Sequence, residues 1–242
     1  NGISRDHTER MLRGFGYDVI SSNNRISLEG GGSLKGCNIE VPSDISSAAF
    51  FMVAGCISKD SSITLNSVNI NPTRTGVIDI LKLMGGNIEL HNQRLQAGEL
   101  IADIKVSSSN LKGIQIPENL VPLAIDEFPV LFIAASCADG ETVLTGAKEL
   151  RVKESDRIQV MADGLTSLGI ENHVLEDGIR ILGGEFTKQA SSIKSHHDHR
   201  ISMAFAIASV RSKFDIEIEG VDNVKTSFPN FVELANSIGM SI

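Results

Sequence analysis

The fold of this chain is decided by the stretch DISSAAFF at residues 44–51, because the chain repeats its pattern twice. The second copy is DEFPVLFI at residues 126–133, and the third is DHRISMAF at residues 198–205. In each copy the Asp opens an apolar run, which is followed by an alternating run, a polar loop and a helix-like segment that ends on a glycine. The spacing from Asp to that glycine is 41, 43 and 41 residues, for Gly85, Gly169 and Gly239. Self-similarity at a fixed period sets the architecture of a chain, so the sequence predicts three copies of one structural unit.

Each unit has the pattern helix, strand, helix, strand, strand. In the second copy the pattern predicts an apolar helix over 128–138, a strand over 141–146 and a second helix over 156–168. A hairpin over 171–182 follows, with its turn at Glu176-Asp177. The second helix has one apolar face, whereas the first is apolar nearly all round and is predicted to be buried. The expected fold class is therefore α/β (α+β), with three sheets around a pseudo-threefold axis and the first helices inside.

Composition and charge exclude several classes of function. The 242 residues are 41% hydrophobic and 21% charged, which is typical of a globular protein with a sizeable core. The net charge of −8 argues against nucleic acid or an anionic membrane as a bulk partner, since that affinity depends on clustered Lys and Arg. The longest apolar run, 45–57, is shorter than the roughly 20 residues of a membrane span.

The three cysteines do not form a recognisable framework. They are odd in number and far apart, at Cys37, Cys56 and Cys137. We expect buried thiols in a reducing compartment, with no disulfide and no metal site.

The beginning of the chain resembles the end of the repeated unit. Residues 5–16 are predicted to form a helix that ends on Gly16, followed by strands over 17–20 and 25–29 around an Asn23-Asn24 turn. The head of that unit is absent from the sequence. We therefore expect this chain to be the C-terminal part of a longer protein.

The densest charge cluster is RVKESDR at residues 151–157. One interpretation is a solvated helix start laced with salt bridges and capped by Ser155 or Asp156. The other is an anion site. Cations at a helix N-terminus are disfavoured by about 0.3–1 kcal/mol each, and Lys153 and Arg157, four apart, would face the same way on a helix. An anion bound there would neutralise them.

The second cluster is HHDHR at residues 196–200. Its histidines suggest zinc, but helical ligands need spacings of three or four, so zinc is disfavoured. Asp198 is expected to cap the next helix. The copies differ at the positions filled here by His199 and Arg200, which indicates a site facing the helix start. An ordinary surface arginine is the alternative for Arg200.

Asp126 also has two interpretations. It is either an N-cap, like its counterparts, or a carboxylate in a cleft, able to take a proton from a hydroxyl group. Further along, Ser227 as a cap and Pro229 in the first turn account for the segment KTSFP without any chemistry.

Several of these segments together resemble one known family. They occur in order at fitting distances and are VPSDISSA (41–48), NPTRTG (71–76), DEFP (126–129), RVKESDR (151–157), DHR (198–200) and SFP (227–229). The set resembles the 5-enolpyruvylshikimate-3-phosphate synthase family over essentially the whole chain. SRDHTE at residues 4–9 and NPTRTG resemble its bacterial class II branch, which is often glyphosate-tolerant.

The resemblance implies a reaction. The enolpyruvyl group of phosphoenolpyruvate moves to the 5-hydroxyl of shikimate 3-phosphate and phosphate leaves, with no metal or organic cofactor. The step belongs to the shikimate pathway towards chorismate and the aromatic amino acids, and the enzyme is the target of glyphosate. A cytoplasmic monomer is expected.

The resemblance also implies roles for particular residues. The catalytic groups would be Asp126, which holds and deprotonates the 5-hydroxyl, Glu154, which shuttles the proton at the methylene carbon, and Lys153, which neutralises charge between the substrates. Phosphoenolpyruvate would be bound by Arg157, Arg200, His199 and Lys153, with the guanidinium groups forming bidentate contacts. Shikimate 3-phosphate would be bound by Arg5, Ser4, Asp126 and Lys153. The family lysine before Thr-Phe-Pro aligns with Thr226, so Lys225 stands one residue early.

The family fold has two domains, each made of three βαβαββ units. Residues 1–40 would be the C-terminal part of the second domain, on the shikimate-phosphate side. Residues 41–242 would be most of the first domain, with its three units on the phosphoenolpyruvate side. Other substrate-binding residues of the family would precede residue 1, so the chain alone is expected to have no appreciable turnover.

Two alternatives stay open. One is the related enolpyruvyl transferase that acts on UDP-N-acetylglucosamine and lacks the Lys-Glu-Ser-Asp-Arg motif. The other is a non-catalytic repeat scaffold, in which the charged residues could be replaced without loss of function.

Overall fold

The computed structural model describes residues 5–22, 25–190 and 192–242. Within these ranges the helices are α1 (His7–Gly14), α2 (Ile45–Ile57), α3 (Gly76–Leu83), α4 (Phe128–Ser136), α5 (Arg157–Ser167), α6 (His199–Ala208), α7 (Val224–Ser227) and α8 (Phe231–Ser237). The strands are β1 (Ile20–Ser22), β2 (Arg25–Ser27), β3 (Ser62–Asn69), β4 (Asn87–Gln96), β5 (Glu99–Ser107), β6 (Glu141–Leu144), β7 (Asn172–Val174), β8 (Ile179–Leu182), β9 (Ile193–Lys194) and β10 (Ile218–Glu219). Short 3₁₀ turns occur at Glu118–Leu120 and Lys148–Val152. The predicted Asn23-Asn24 turn lies outside the described residues.

Three apolar helices form the centre of the molecule. Helices α2, α4 and α6 each contact the other two, and nearly every residue in them is buried. A helix without a polar face is stable only when it is enclosed. The prediction that the first helix of each unit lies inside is therefore confirmed.

Each unit begins with a parallel pairing across its apolar helix. Bridges join Ser43 to Val68 and Gln115 to Val143, and β9 pairs with β10 in the same sense. In the first two units an antiparallel hairpin then completes the sheet, in the orders β3-β5-β4 and β6-β8-β7. The repeated strand-helix-strand start confirms the predicted mixed fold of three related units. In the described part of the third unit the sheet consists of β9 and β10 alone.

Glycines end the second helix of each unit, as predicted. Gly85, Gly169 and Gly239 have φ angles of 91°, 88° and 92°, in the left-handed region where a side chain is disfavoured. In the second unit, α5 lies against the central α6. A Cβ at Gly164 would stand 2.2 Å from Phe205 Cζ, so only glycine permits this approach.

The third unit contains a large groove. It has a volume of about 1010 Å³ and is lined by residues from α2, α6, β10 and α8, among them Met203, Ile218, Phe228 and Phe231. Ser227 ends α7, and α8 begins after Asn230, so the prediction that Ser227 caps the last helix is wrong.

Residues 5–22 and 25–40 are more exposed than the three units. Helix α1 has no buried residue, and every residue of β1 and β2 is exposed. Cys37 is exposed and Cys137 is only partly buried, so the prediction of three buried thiols is confirmed for Cys56 alone. Polar contacts join α1 to the first unit: Asn71 Nδ2 donates to Asp6 Oδ1 at 2.7 Å, and His7 Nδ1 lies 2.7 Å from Glu99 Oε1.

Across the described ranges, no helix is both long enough and apolar enough to cross a membrane.

Candidate active site

Charged side chains from distant parts of the chain meet at the starts of α4, α5 and α6. Asp126 forms an ion pair with Arg5. Its Oδ1 lies 3.5 Å from Lys153 Nζ and 3.8 Å from Arg157 Nη1. Arg200 Nη1 donates to the Asp126 carbonyl at 3.0 Å. The structure thus brings Asp126, Lys153, Arg157 and Arg200 together, as the candidate site required.

Asp126 is not an N-cap, so that interpretation is wrong. The cap position of α4 belongs to Glu127, which makes no side-chain capping bond, and Pro129 occupies the first turn. Within the described ranges the Asp126 carboxylate has no backbone partner, and it faces the surrounding cations. Burial alone would raise its pKa, but Arg200, Arg5, Lys153 and Arg74 together hold the pKa below its ordinary value. Asp126 is therefore an ionised hydrogen-bond acceptor.

Asp198 both caps α6 and fixes Arg157. Its carboxylate accepts from the Arg200 backbone N–H at 2.9 Å, from Arg157 Nε at 2.9 Å and from Ser155 Oγ at 3.1 Å. The side chains of Arg157 and Asp198 are 1% and 0% exposed. Burial favours the neutral acid, but the hydrogen bond from Arg157 and its charge lower the pKa of Asp198 overall. The guanidinium group is thereby held beside the space between Asp126, Lys153, Arg157 and Arg200, which we call the cleft.

Arg157 also has an unused donor. Its Nη1 is buried, has no hydrogen-bond partner in the described part of the chain, and lies 3.8 Å from Asp126 Oδ1. Its Nη2 donates to Glu154 Oε2 at 2.5 Å. The Glu154 side chain is 50% exposed, so this carboxylate stands at the open side of the cleft.

Within the charge cluster at 151–157, Arg151 and Asp156 have structural roles. Arg151 is structural, because it bonds to Asp156 and to the carbonyls of Leu175 and Glu176. Asp156 is the N-cap of α5, accepting from the Gln159 backbone N–H at 3.1 Å. The capping interpretation is therefore correct for Asp156.

Lys153 reaches the cleft by a different route from the one expected. Helix α5 begins only at Arg157, and Lys153 has an extended backbone, so the expectation that Lys153 and Arg157 share a helix face is wrong. The 3₁₀ turn before it aims its Nζ at Glu149 (2.5 Å) and Asp126.

His199 lies at the first position of α6. Burial lowers its pKa, and the nearby Arg200 lowers it further, against the opposing effects of Asp198 and Glu154. The imidazole is therefore mainly neutral at pH 7, because a pKa below its ordinary value of 6.5 favours the uncharged ring.

Not every candidate joins the cluster. The Asp44 carboxylate bonds within its own helix start, to Ser47 N and Oγ, and it lines a separate groove. Two of the three repeated Asp residues, Asp126 and Asp198, therefore both lie against Arg157, and Asp44 does not. Ser4 lies outside the described residues. Within those residues, no three His, Cys, Asp or Glu side chains are grouped so as to hold a metal.

Sequence reasoning missed three members of the cluster. Arg74 Nη2 donates to Ser46 Oγ at 2.6 Å and lies 3.4 Å from Glu127 Oε1, which is also bonded to Ser46. All three fall in segments that carry the family resemblance. Nothing in their local spacing indicates that they meet, because Arg74 and Glu127 are 53 residues apart.

Comparison with solved structures identifies the fold. The enolpyruvyl transferase NikO from Streptomyces tendae superimposes with a TM-score of 0.70 at 15% identity, over 95% of this chain and 51% of that one. The fold is therefore that of the enolpyruvyl transferases.

The family follows from sequence. The profile described as EPSP synthase (3-phosphoshikimate 1-carboxyvinyltransferase) matches residues 1–234, and the chain belongs to this family. A 3-phosphoshikimate 1-carboxyvinyltransferase from Vesicomyosocius okutanii is 68% identical over 240 residues, covering 99% of this chain and 55% of the relative. The EPSP synthase structure from Acinetobacter baumannii matches with a TM-score of 0.95 at 59% identity, covering 99% of this chain and 56% of that one. The chain thus spans about half the length of the curated relatives it matches.

Proposed function

We propose that this chain supplies the phosphoenolpyruvate side of a 3-phosphoshikimate 1-carboxyvinyltransferase. The observation that carries the proposal is the meeting of the Asp126 carboxylate with Arg5, Lys153 and Arg157, beside an Arg200 anchored on the same backbone. A carboxylate that can accept a hydroxyl proton, next to guanidinium groups that can grip a phosphate and a carboxylate, matches the demands of enolpyruvyl transfer.

The reaction is an addition followed by an elimination. The 5-hydroxyl oxygen of shikimate 3-phosphate bonds to C2 of phosphoenolpyruvate, its proton leaves, and the methylene carbon is protonated to a methyl group. A proton then leaves that methyl group, the bond from C2 to the phosphate oxygen breaks, and inorganic phosphate departs. Protons are therefore moved at two places, the hydroxyl oxygen and the methyl carbon.

We assign these two proton transfers to two carboxylates. Asp126 is held ionised by the cations around it, so it can hold and deprotonate the hydroxyl. Glu154, half exposed and tethered to Arg157, can exchange a proton at the methyl carbon. Lys153 lies beside Asp126 and can neutralise charge that develops between the substrates.

The anionic groups would be held by the cations. Arg157 and Arg200 would grip phosphoenolpyruvate, with His199 lining the same pocket. Arg5, which already contacts Asp126, would bind the 3-phosphate of shikimate 3-phosphate. We place the enzyme in the shikimate pathway, in the cytoplasm, and as a monomer.

We further propose that residues 1–40 belong to a second domain and that residues 41–242 form most of the first. Helix α1 has no fully buried residue, and its Met11 is 40% exposed. The third unit has a two-stranded sheet and an apolar groove where the other two units have a hairpin. Both features indicate surfaces that further parts of a complete enzyme would cover.

The test is phosphate release from phosphoenolpyruvate in the presence of shikimate 3-phosphate. We expect the chain joined to the part of the Vesicomyosocius okutanii relative that it does not match to turn over, and the chain alone to show no appreciable turnover. Glu154→Gln and Arg200→Ala should each lower kcat/KM by about a hundredfold or more. Arg180→Ala is the matched control, because Arg180 is half exposed and pairs with Glu141 on the second sheet.

Two results would contradict the proposal. Turnover with UDP-N-acetylglucosamine in place of shikimate 3-phosphate would favour the related transferase. Unchanged activity after replacement of Lys153, Glu154, Arg157 and Arg200 by Ala would favour a repeat scaffold.

A further inference from the structure

A second carboxylate is buried directly beside the proposed catalytic one. The Glu127 side chain is 1% exposed, and it follows Asp126 in the chain. Its Oε1 accepts from Ser46 Oγ and lies 3.4 Å from Arg74 Nη2 and 3.9 Å from Arg200 Nη1. Its Oε2 is buried and has no hydrogen-bond partner among the residues that the structure describes. Burial raises the pKa of Glu127, and the hydrogen bond from Ser46 and the charges of Arg74 and Arg200 oppose that rise, so these partners stabilise the carboxylate in a buried position.

This cluster joins all three units of the fold. Ser46 opens α2 and Arg74 precedes α3 in the first unit, Glu127 opens α4 in the second, and Arg200 opens α6 in the third. Arg74 and Ser46 also bond to one another at 2.6 Å, so the first unit holds one side of Glu127. Arg200 lies on the opposite side of Glu127, towards the cleft.

Arg200 is held through a single nitrogen. Its Nη1 donates to the Asp126 carbonyl and faces Glu127. Among the described residues, neither Nε nor Nη2 of Arg200 has a partner, and the side chain is 16% exposed. An arginine fixed at one end, with its other donors free, is prearranged to bind a ligand and loses little further freedom when it does.

We infer that Glu127 is a positioning residue, which orients Arg200 for phosphoenolpyruvate through the Ser46–Arg74–Glu127–Arg200 contacts and does not touch the substrate itself. The inference rests on the proposed function only where it names the ligand. The alternative is that Glu127 merely neutralises Arg74 and maintains the fold.

The direct test is the mobility of the Arg200 side chain, measured by ¹⁵N relaxation of its Nε–Hε group in the chain without ligand. We expect the Arg200 Nε–Hε group to have an order parameter of about 0.8 in the unmodified chain and below about 0.6 in Glu127→Gln. Gln keeps the shape of the side chain and its hydrogen bond to Ser46 while removing the charge. Arg157 is the internal control, because Asp198 holds it and its order parameter should not change.

The matched control variant is Glu141→Gln. Glu141 is half exposed and pairs with Arg180, away from the cleft. This variant should leave Arg200 ordered. Should Glu127→Gln fail to fold, as judged by its thermal transition, Arg74→Lys provides a second test. Lys lacks the planar, pre-organised fork of Arg, so it should hold Ser46 and Glu127 less firmly, and Arg200 should loosen.

The consequence for catalysis is measured in the chain joined to the unmatched part of the relative. Glu127→Gln should raise KM for phosphoenolpyruvate about three- to tenfold, with a smaller change in kcat. In an Arg200→Ala background the same substitution should have no further effect on KM, because its influence passes through Arg200.

The possible outcomes separate the two proposals. An Arg200 side chain that is mobile in the unmodified chain, or equally ordered in Glu127→Gln, overturns the inference. Additive effects in the double variant overturn it as well. If Arg200 loosens as expected but Arg200→Ala leaves KM for phosphoenolpyruvate unchanged, the positioning role stands and the proposed function is wrong about its ligand.

Discussion

The helix starts of α2 and α6 are made from the same repeated motif but have different chemistry. Asp44 caps α2 through Ser47 and, among the described residues, forms no hydrogen bond or ion pair beyond its own helix start. Asp198 caps α6 in the same way and also holds the buried Arg157. The repeat therefore fixes where the carboxylate stands, and the neighbouring unit decides whether it becomes part of a site. Here the deciding neighbour is α5, which begins with Arg157.

The largest expected difference between the two positions is in stability. Asp198→Ala leaves the guanidinium of Arg157 buried without its main partner, and we expect a loss of about 3–5 kcal/mol in the free energy of unfolding. Urea denaturation of the chain measures this directly. A loss no greater than that of the matching Asp44→Ala variant would show that the buried pair contributes little.

The same pair should make stability depend on acid pH. The pKa of Asp198 is lowered in the folded chain, so its ionised form stabilises the fold above the ordinary pKa of 3.8. This contribution is lost as the pH falls below 3.8 and through the folded pKa. We expect urea midpoints between pH 5 and pH 3 to fall less steeply in Asp198→Asn than in the unmodified chain. Parallel curves would contradict the assignment.

Asp126 differs from both of its counterparts, since it caps nothing. Asp126→Asn should cost about 1.5–3 kcal/mol of stability, because it leaves Arg157 and Lys153 with less compensating charge. A substitution at a pure N-cap would instead act on the helix alone. Amide hydrogen exchange distinguishes the two: protection in the first turn of α4 should be unchanged in Asp126→Asn.

Much of this architecture could be predicted from the sequence. The three units, their enclosed first helices and the left-handed glycines all follow from periodicity and from the Asp-to-Gly spacing. The hydrogen-bond and ion-pair partners of the polar side chains could not be predicted from these patterns. Capping propensity alone could not distinguish Asp126 from Asp44, because the difference lies in cations brought from residues 5, 153 and 157.

The groups around Glu127 were missed for the same physical reason. Helix and strand patterns report which face of an element is apolar, and they carry no information on which polar residues meet across units. Lys153 shows a second limit: the prediction that it shares a helix face with Arg157 was wrong, because Lys153 follows a 3₁₀ turn and α5 begins only at Arg157.

The smallest expected effect is at Asp44. Asp44→Ala should cost about 1 kcal/mol, the usual value for loss of an N-cap, and should not alter substrate binding by the joined protein. Thermal unfolding measures the first quantity and KM for phosphoenolpyruvate the second. A change in KM comparable to that of Arg200→Ala would place Asp44 in the site and remove the contrast between the helix starts.

The most direct measurement is a crystal structure of the chain, joined to the unmatched part of the Vesicomyosocius okutanii relative, with phosphoenolpyruvate and shikimate 3-phosphate bound. We expect the carboxylate and phosphate of phosphoenolpyruvate to contact the guanidinium groups of Arg157 and Arg200, with the 5-hydroxyl within hydrogen-bonding distance of Asp126. Substrates bound elsewhere, with these three side chains directed to separate surfaces, would contradict the proposal that the repeated helix starts form one enolpyruvyl transfer site.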